Sequence, residues 1–482
     1  MKSRNTLLAL CIAILFSCSA DKKINKVALS DKALNDKSSL FYASYNSYPA
    51  KLKNLPIGMF DSGTGGLTVM EQFLSMDYFD NKTGEEIPDG IPDFDGEDFI
   101  YLADQANMPY GVYSSQNKTD YLRELIIKDA LFITTDPNRT KMVVIACNTA
   151  TAYGLEDIKT LLSLSGTGVK PIGVIEAGVD GAMSVISPVS DDPFAVGVMA
   201  TVGTISSGGY ENALVKYVAD KRYKAPLKVV NQGGLGFAEA VDSEIDYILR
   251  SSSQIRENYR GPKLGEFPDG IDTNLLALYK FDTANNSLLA SKNKKGEVEH
   301  IQLNSSGNYA RFHMVTLIEK HRRENPGVKM SSVILGCTHY PFLIDTLIKV
   351  VDELRAYSQE GVNIYDEVLA EEVVFIDPAV NTAKEAFKTL FADKNLKRGS
   401  RGNTLKGYIS VAYPDLSSDF KDDNGNLKFE FKYGRSIGSD EQSVQVVPFS
   451  FKNINSDNLS RIKERLPYSY ALIKNYLESD EL

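Results

Sequence analysis

The chain has 482 residues, of which 43% are hydrophobic and 24% are charged. That length exceeds what one ordinary hydrophobic core accommodates, so two or more lobes are expected. The 53 basic residues are outnumbered by 63 acidic residues, which gives a net charge of -10 at pH 7. This balance argues against a protein that binds nucleic acid non-specifically, because such a protein needs a basic surface.

The N-terminus has the build of an export signal. A basic start precedes an apolar run over 6–17, which is too short to span a bilayer. The run ends on "LFSC" and the chain then turns polar, which resembles a bacterial lipoprotein signal with Cys18 as the lipidated residue. Cleavage near Ser19-Ala20 and an uncleaved anchor are the alternatives. We therefore predict a signal peptide over 1–17 and an exported protein, lipid-anchored on the periplasmic side of a bacterial membrane or soluble in the periplasm.

Beyond residue 55, short apolar runs alternate with stretches of helical spacing. Such alternation of strand and helix predicts a parallel sheet covered on both faces. The predicted strands cover 56–60, 98–104, 141–147, 170–176 and 194–201. The predicted helices cover 67–76, 119–134, 149–162, 178–186 and 208–218.

The same order of parts occurs twice along the chain. In each half an early strand ends at an acid or hydroxyl turn, and a later strand ends at Cys147 or Cys337. This repeat predicts an α/β fold of two similar doubly wound lobes, with the active site in the cleft between them. A tether is predicted over 18–54. Lobe one is predicted over 55–168 with 345–395 and contains an insertion at 80–98, and lobe two is predicted over 169–344 and contains a polar insertion at 252–308. A C-terminal extension follows over 396–482.

The two cysteines of the globular part carry the chemical argument. A thiolate is a base as well as a nucleophile, and positive charge or a helix N-terminus favours it. Two thiols in equivalent positions of two lobes indicate a symmetric task, such as inverting a carbon stereocentre by removing a proton from one face and returning it to the other. A disulfide, common in exported proteins, and inert buried thiols are the alternatives.

Six collinear motifs resemble those of glutamate racemase, in that family's order. The resemblance covers roughly residues 55–250 and 310–395. The motifs are "FDSGTGGLTV", "YLADQANMPYG", "ACNTATA", "GVIEAG", "MATVGTISSGGY" and "LGCTHYP".

The resemblance implies a cofactor-independent racemase that interconverts L- and D-glutamate, or a related acidic amino acid, without a metal. Cys147 and Cys337 match the family's paired proton donor and acceptor. Asp61 would assist Cys147, while Glu176 and His339 would assist Cys337. A homodimer is a further expectation. The positions that match the family's substrate-binding pairs are Asp61 with Ser62, Tyr110 with Gly111, Asn148 with Thr149, and Thr338 with His339.

Each assisting residue also has a purely structural interpretation. Asp61 could cap the helix after the Gly-rich turn, and His339 could be a satisfied core histidine. Glu176 could be a solvated loop residue, and Tyr110 after a proline could serve the turn. Because that family is ordinarily cytoplasmic and this chain carries an export signal, the alternative function is a lipid-anchored, catalytically inactive amino-acid-binding or structural protein on the racemase fold.

Overall fold

A computed structural model describes residues 30–39, 42–399, 402–438, 443–454 and 456–478. The predicted signal peptide over 1–17 and the lipidation residue Cys18 lie outside the described residues. Within those five ranges, every helix is too short or too polar to cross a lipid bilayer.

The first of two main sheets has six strands, in the order β14-β13-β2-β1-β3-β4. Five of them run parallel, and the edge strand β14 is antiparallel to β13. All five residues of β1 are buried, as expected for a central strand covered by helices on both faces. The strands are β1 (Ile57–Asp61), β2 (Asp98–Ala103), β3 (Met142–Ile145), β4 (Lys170–Gly173), β13 (Thr404–Ala412) and β14 (Val444–Pro448).

The second main sheet has four parallel strands in the order β12-β9-β5-β6. All seven residues of β5 are buried, so this strand is also central. The described strands outside the two main sheets form two-stranded ribbons, β7 with β8 and β10 with β11. The bounds are β5 (Phe194–Ala200), β6 (Leu227–Gly233), β7 (Leu288–Lys292), β8 (Val298–Leu303), β9 (Lys329–Gly336), β10 (Ser358–Gln359), β11 (Val362–Asn363) and β12 (Leu369–Ile376).

Helices cover the faces of both sheets, which confirms the predicted α/β fold with parallel sheets. The described helices are α1 (Leu67–Ser75), α2 (Gly111–Ser115), α3 (Thr119–Thr134), α4 (Asn148–Ser165), α5 (Val174–Ser184), α6 (Val202–Ser206), α7 (Gly209–Lys221), α8 (Phe237–Val241), α9 (Leu276–Tyr279), α10 (Ser306–Glu324), α11 (Ile344–Arg355), α12 (Pro378–Ala392), α13 (Phe429–Gly434), α14 (Ser456–Arg465) and α15 (Pro467–Leu477).

The structure divides the lobes differently from the sequence prediction. Residues 345–376 were assigned to lobe one, but α11 packs on α10 and β12 pairs with β9, so both belong to lobe two. Strand β4, assigned to lobe two, pairs with β3 in the first sheet. Helix α12 does lie with lobe one, where it packs against α1. The predicted boundaries are wrong here because alternation along the chain does not say which sheet a strand joins.

The segment predicted as a tether over 18–54 is packed on lobe one wherever it is described. The Tyr45 hydroxyl lies 2.9 Å from the Thr134 hydroxyl, and the Tyr48 hydroxyl donates to the Thr140 carbonyl oxygen at 2.8 Å. Ala33 is also buried in the core of this lobe. The prediction of a tether is therefore wrong for 30–39 and 42–54, because isolated apolar residues without a sustained period gave no signal of packing.

The insertion at 252–308 is a folded layer of lobe two. Tyr259, Ile271 and Tyr279 lie in the same core as helix α10. Strands β7 and β8 form an antiparallel hairpin at the end of this segment. The C-terminal extension likewise belongs to the fold, since it supplies β13 and β14 to the first sheet.

Candidate functional site

A cavity lies between the two sheets, at the carboxyl ends of their strands. Asp61 ends β1, Cys147 follows β3, and Cys337 follows β9, and all three line this cavity. The position agrees with the general rule for parallel α/β sheets. The lining residues are Asp61, Ser62, Met108, Pro109, Tyr110, Gly111, Cys147, Asn148, Thr149, Thr201, Ala238, Glu239, Asp242, Cys337, Thr338 and His339.

The two lobes touch closely beside the cavity, at positions occupied by glycine. A Cβ atom built on Gly65 of lobe one would lie 2.6 Å from the His339 ring and from the Thr338 hydroxyl of lobe two. A Cβ atom on Gly203 of lobe two would lie 2.7 Å from the Cα atom of Gly111 in lobe one. A side chain at Gly65 or Gly203 would therefore push the lobes apart and admit water.

Cys147 is the N-cap of the long helix α4 and is buried beside a carboxylate. Its thiol donates to the Ser62 hydroxyl at 3.7 Å, and its sulfur accepts the Ala150 N–H at 3.4 Å. Burial and the neighbouring Asp61 charge raise the pKa of the Cys147 thiol above its ordinary value. The Asp61 carboxylate itself accepts the Gly66 N–H at 2.7 Å, and burial raises its pKa. These surroundings favour the protonated thiol at Cys147.

Cys337 has the opposite electrostatic surroundings. Its sulfur lies 3.5 Å from Nδ1 of His339, whose Nε2 lies 3.1 Å from Oδ2 of Asp242. Burial opposes a charged imidazole, but the Asp242 carboxylate outweighs it and raises the pKa of His339 well above its ordinary value. The sulfur of Cys337 therefore lies beside a cation, whereas the sulfur of Cys147 lies beside a carboxylate. Both cysteines are free thiols, so the structure does not contain the disulfide considered above.

Asp242 is a buried carboxylate held by two cations. Oδ2 accepts from His339, while Oδ1 lies 2.5 Å from Nη1 of Arg461 in α14. Burial alone would raise the pKa of Asp242, but the charges of His339 and Arg461 lower it to about 2. Asp242 therefore remains a carboxylate across the physiological pH range.

The polar side chains next to Cys147 are already engaged within the protein. The Tyr210 hydroxyl donates to Oδ1 of Asn148 at 2.5 Å, which leaves the amide NH2 of Asn148 as a donor. The Thr149 hydroxyl lies 3.1 Å from that of Thr201. These bonds hold hydrogen-bonding groups in fixed orientations at the start of α4.

The structure brings together the predicted site residues with one exception. Glu176 does not line the cavity, and its side chain is exposed in the first turn of α5. Strand β4 ends at Gly173, before the predicted end of the strand, so Glu176 falls on a helix where its charge is compatible with the helix dipole. Its assignment as the partner of Cys337 is corrected here. The residues that do line the cavity are Asp61, Ser62, Tyr110, Gly111, Cys147, Asn148, Thr149, Cys337, Thr338 and His339.

Tyr110 lines the cavity but does not offer its hydroxyl to a ligand. That hydroxyl lies 2.5 Å from Oδ2 of Asp104 and 2.7 Å from Oδ2 of Asp129, so these two carboxyl groups are its hydrogen-bond partners. Both carboxylates are buried. The side chain of Tyr110 is therefore a wall of the cavity.

Sequence reasoning missed two acidic residues of the cavity, Glu239 and Asp242. Both follow β6, in a stretch that also contains the neighbouring acids Glu244 and Asp246. No local pattern separates the two that face the cavity from the two that do not. Contact with His339, which lies 97 residues away along the chain, distinguishes Asp242.

Comparison with known proteins gives one consistent result. No family model matches the chain. The chain is 37% identical over 164 residues to "Glutamate racemase" of Oceanobacillus iheyensis, covering 34% of this chain and 48% of that protein. It is 25% identical over 360 residues to "Glutamate racemase" of Clostridium novyi, covering 75% of this chain and 93% of that protein.

This chain is similar to glutamate racemases. The match to the Oceanobacillus protein spans about half of that relative's length, while the weaker match to the Clostridium protein spans nearly all of it. Among solved structures, glutamate racemase isoform RacE1 from Bacillus anthracis aligns with a TM-score of 0.45 and 22% identity, covering 74% of this chain and 89% of that one.

The environment of Cys147 generates a prediction about its ionisation. Replacing Asp61 by Asn removes the negative charge that, after burial, most disfavours the thiolate, so the pKa of Cys147 should fall. The measurement is the pH dependence of Cys147 alkylation by a small haloacetamide, followed by mass spectrometry of the Cys147 peptide. Asp120→Asn, at an exposed acid of the same lobe, is the matched control and should leave the midpoint unchanged. A midpoint in Asp61→Asn that stays in place or moves to higher pH would contradict the assignment.

Proposed function

We propose that the protein is a cofactor-independent amino-acid racemase that interconverts the L and D forms of glutamate, or of a related acidic amino acid, by a two-base mechanism. The observation that carries this proposal is that two free thiols, one from each lobe, line a single cavity at facing strand ends. Both relatives described above are glutamate racemases, which supports glutamate as the first substrate to test.

We propose different starting roles for the two sulfurs because their surroundings are unequal. Cys337, which lies 3.5 Å from the His339 imidazole, is the proposed base, and Cys147, whose thiol pKa is raised by burial and by the Asp61 charge, is the proposed acid. The Cys337 thiolate removes the Cα proton from the enantiomer whose Cα–H bond points toward Cys337. The Cys147 thiol then delivers its own proton to the opposite face of the carbon. The product enantiomer leaves behind a Cys337 thiol and a Cys147 thiolate, which together catalyse the reverse direction.

The start of helix α4 is the proposed binding place for the substrate's α-carboxylate. N–H groups at a helix N-terminus attract anions, and Asn148 and Thr149 lie there beside Cys147. Binding a carboxylate to fixed donors reduces its electron donation and lowers the cost of a carbanion-like state at Cα. The close contact of the lobes supports this, since exclusion of water strengthens each of these interactions.

Exchange of the Cα proton with solvent tests the reaction directly. In deuterated water and with reduced thiols, L-glutamate and D-glutamate should each lose the Cα proton signal in ¹H NMR and yield both enantiomers. Cys147→Ser and Cys337→Ser should each lower racemisation by at least about 100-fold, because a positioned general acid or base contributes roughly 10²- to 10⁴-fold. The thermal unfolding midpoint of each variant serves as the control for folding.

The alternative function gives a different outcome in the same experiment. A binding or structural protein would be stabilised thermally by its amino acid without any exchange of the Cα proton. Absence of exchange across a panel of acidic amino acids would overturn the racemase proposal. Retention of full activity in either serine variant would overturn the two-cysteine mechanism.

Glu239 affects which substrate side chains the cavity can bind. Its carboxyl group lines the cavity on α8, and burial raises its pKa. In its charged form it would repel an acidic substrate, whereas in its protonated form it can donate a hydrogen bond to a substrate carboxylate. We therefore propose that acidic substrates bind when Glu239 is protonated.

Glu239→Gln should reduce the KM for glutamate at high pH and have little effect at low pH. Above its folded pKa the wild-type residue is charged, and removing about 1 kcal/mol of repulsion corresponds to a roughly fivefold lower KM. Steady-state kinetics over a pH series measure the difference. Glu257→Gln, at an exposed acid of the same lobe, is the control. Equal KM values for Glu239→Gln and the wild type across the whole series would argue against a role in substrate choice.

We further propose export and lipid attachment through Cys18, on the basis of the N-terminal sequence alone. The full chain, expressed in a bacterium, should appear in the membrane fraction with an N-terminal peptide that begins at a lipid-modified Cys18, as detected by mass spectrometry. Cys18→Ala should lose the lipid, while Cys11→Ala in the apolar run should keep it. A mature chain that begins elsewhere without lipid would contradict the proposal. The homodimer stays a prediction.

A further inference from the structure

Arg461 of α14 connects the C-terminal extension to Asp242 of the candidate active site. Its guanidinium lies 2.5 Å from Oδ1 of Asp242 and donates to the Val241 carbonyl oxygen at 2.9 Å. It also donates to Oδ1 of Asn458 at 3.1 Å, within its own helix. One ion pair and two hydrogen bonds therefore hold this guanidinium behind the wall of the cavity.

Packing fixes the helix that carries Arg461. Ile462, the next residue, is 1% exposed and lies in the main core of lobe one, together with Leu466. On the other side, the Arg461 guanidinium lies 5.6 Å from the centre of the Phe342 ring, in the turn that follows His339. Helix α14 thus spans from the core of lobe one to the catalytic loop of lobe two.

Arg461 is the outer end of a chain of contacts that leads to a sulfur. Asp242 offers Oδ1 to Arg461 and Oδ2 to Nε2 of His339, and Nδ1 of His339 faces Cys337 at 3.5 Å. A carboxylate held at both oxygens cannot rotate, so the imidazole keeps one orientation. Loss of Arg461 would leave Oδ1 of Asp242 without its cation.

We propose that Arg461 is a positioning residue for proton transfer at Cys337, so that the C-terminal extension completes the active site of this chain. The proposal rests on the racemase function proposed above. It assigns a role to a segment outside the part of the chain that resembles the family, and Arg461 acts through Asp242 and His339 without touching the cavity.

The sign of the electrostatic effect follows from the charges around His339. Arg461 opposes the charged imidazole, while the negative groups that face His339 favour it. Removing a cation therefore stabilises the imidazolium and raises the pKa of His339 further. The negative or ionisable groups facing it are Asp61, Glu239, Asp242, Glu244 and Cys337.

The test compares Arg461→Met, Arg461→Lys and Lys463→Met in the full chain. Lys463 is exposed on the same helix, so its replacement removes the same charge without touching Asp242. Arg461→Met should lower kcat about 10- to 100-fold with KM changed less than about threefold, because orientation of His339 is lost while the substrate-binding groups stay. Arg461→Lys should recover part of kcat, and Lys463→Met should match the wild type.

An NMR titration of the His339 imidazole, without substrate, distinguishes a role of Arg461 in positioning His339 from a role in stabilising the fold alone. Arg461→Met should move the His339 midpoint upward by about half a pH unit or more, and Lys463→Met should not. A lower kcat together with an unchanged His339 midpoint would overturn the proposal, as would a Lys463→Met variant equal to Arg461→Met. Because the titration needs no turnover, a shifted midpoint in a chain without Cα exchange would refute the racemase function while preserving the Arg461–His339 coupling.

Discussion

The site depends on the contact between two facing sheet edges. Two glycines make that contact possible, since a Cβ atom on Gly65 or Gly203 would lie less than 3 Å from the opposite lobe. Close approach places a thiol from each lobe in one cavity and limits the space for water. In such surroundings charges interact strongly, and this explains why the pKa values of Asp61, Cys147 and His339 all depart from their ordinary ranges.

Similar topology does not make the two halves electrostatically equivalent. Each cysteine follows a buried parallel strand, but Cys147 caps a helix beside Asp61, while Cys337 lies beside an imidazolium. One half therefore places a carboxylate beside its sulfur and the other places a cation beside its sulfur, which supports the unequal acid and base roles proposed for the two cysteines.

The added segments participate in the fold and in the site. Glu71 of α1 accepts the N–H groups of Tyr468 and Ser469, at 3.1 and 2.8 Å, which attaches the last helix to lobe one. Lys432 of α13 donates to the carbonyl oxygen of Met108 at the cavity wall. With Arg461 at Asp242, the extension contacts both sides of the cleft. It therefore restricts how far the lobes can separate when a substrate enters.

The sequence alone determined the alternating α/β build and the strand-end positions of Cys147 and Cys337. These are local properties, since hydrophobic period and the residue after a strand do not depend on distant contacts. Most of the residues that line the cavity were predicted from the resemblance of six motifs to glutamate racemase, and not from periodicity. Tertiary structure alone decided that β12 joins the second sheet and that Asp242, not Glu176, faces His339. It also decided that the extension contacts Asp242 of the site through Arg461. Those outcomes arise from contacts between residues far apart in the chain, and no nearby pattern encodes them.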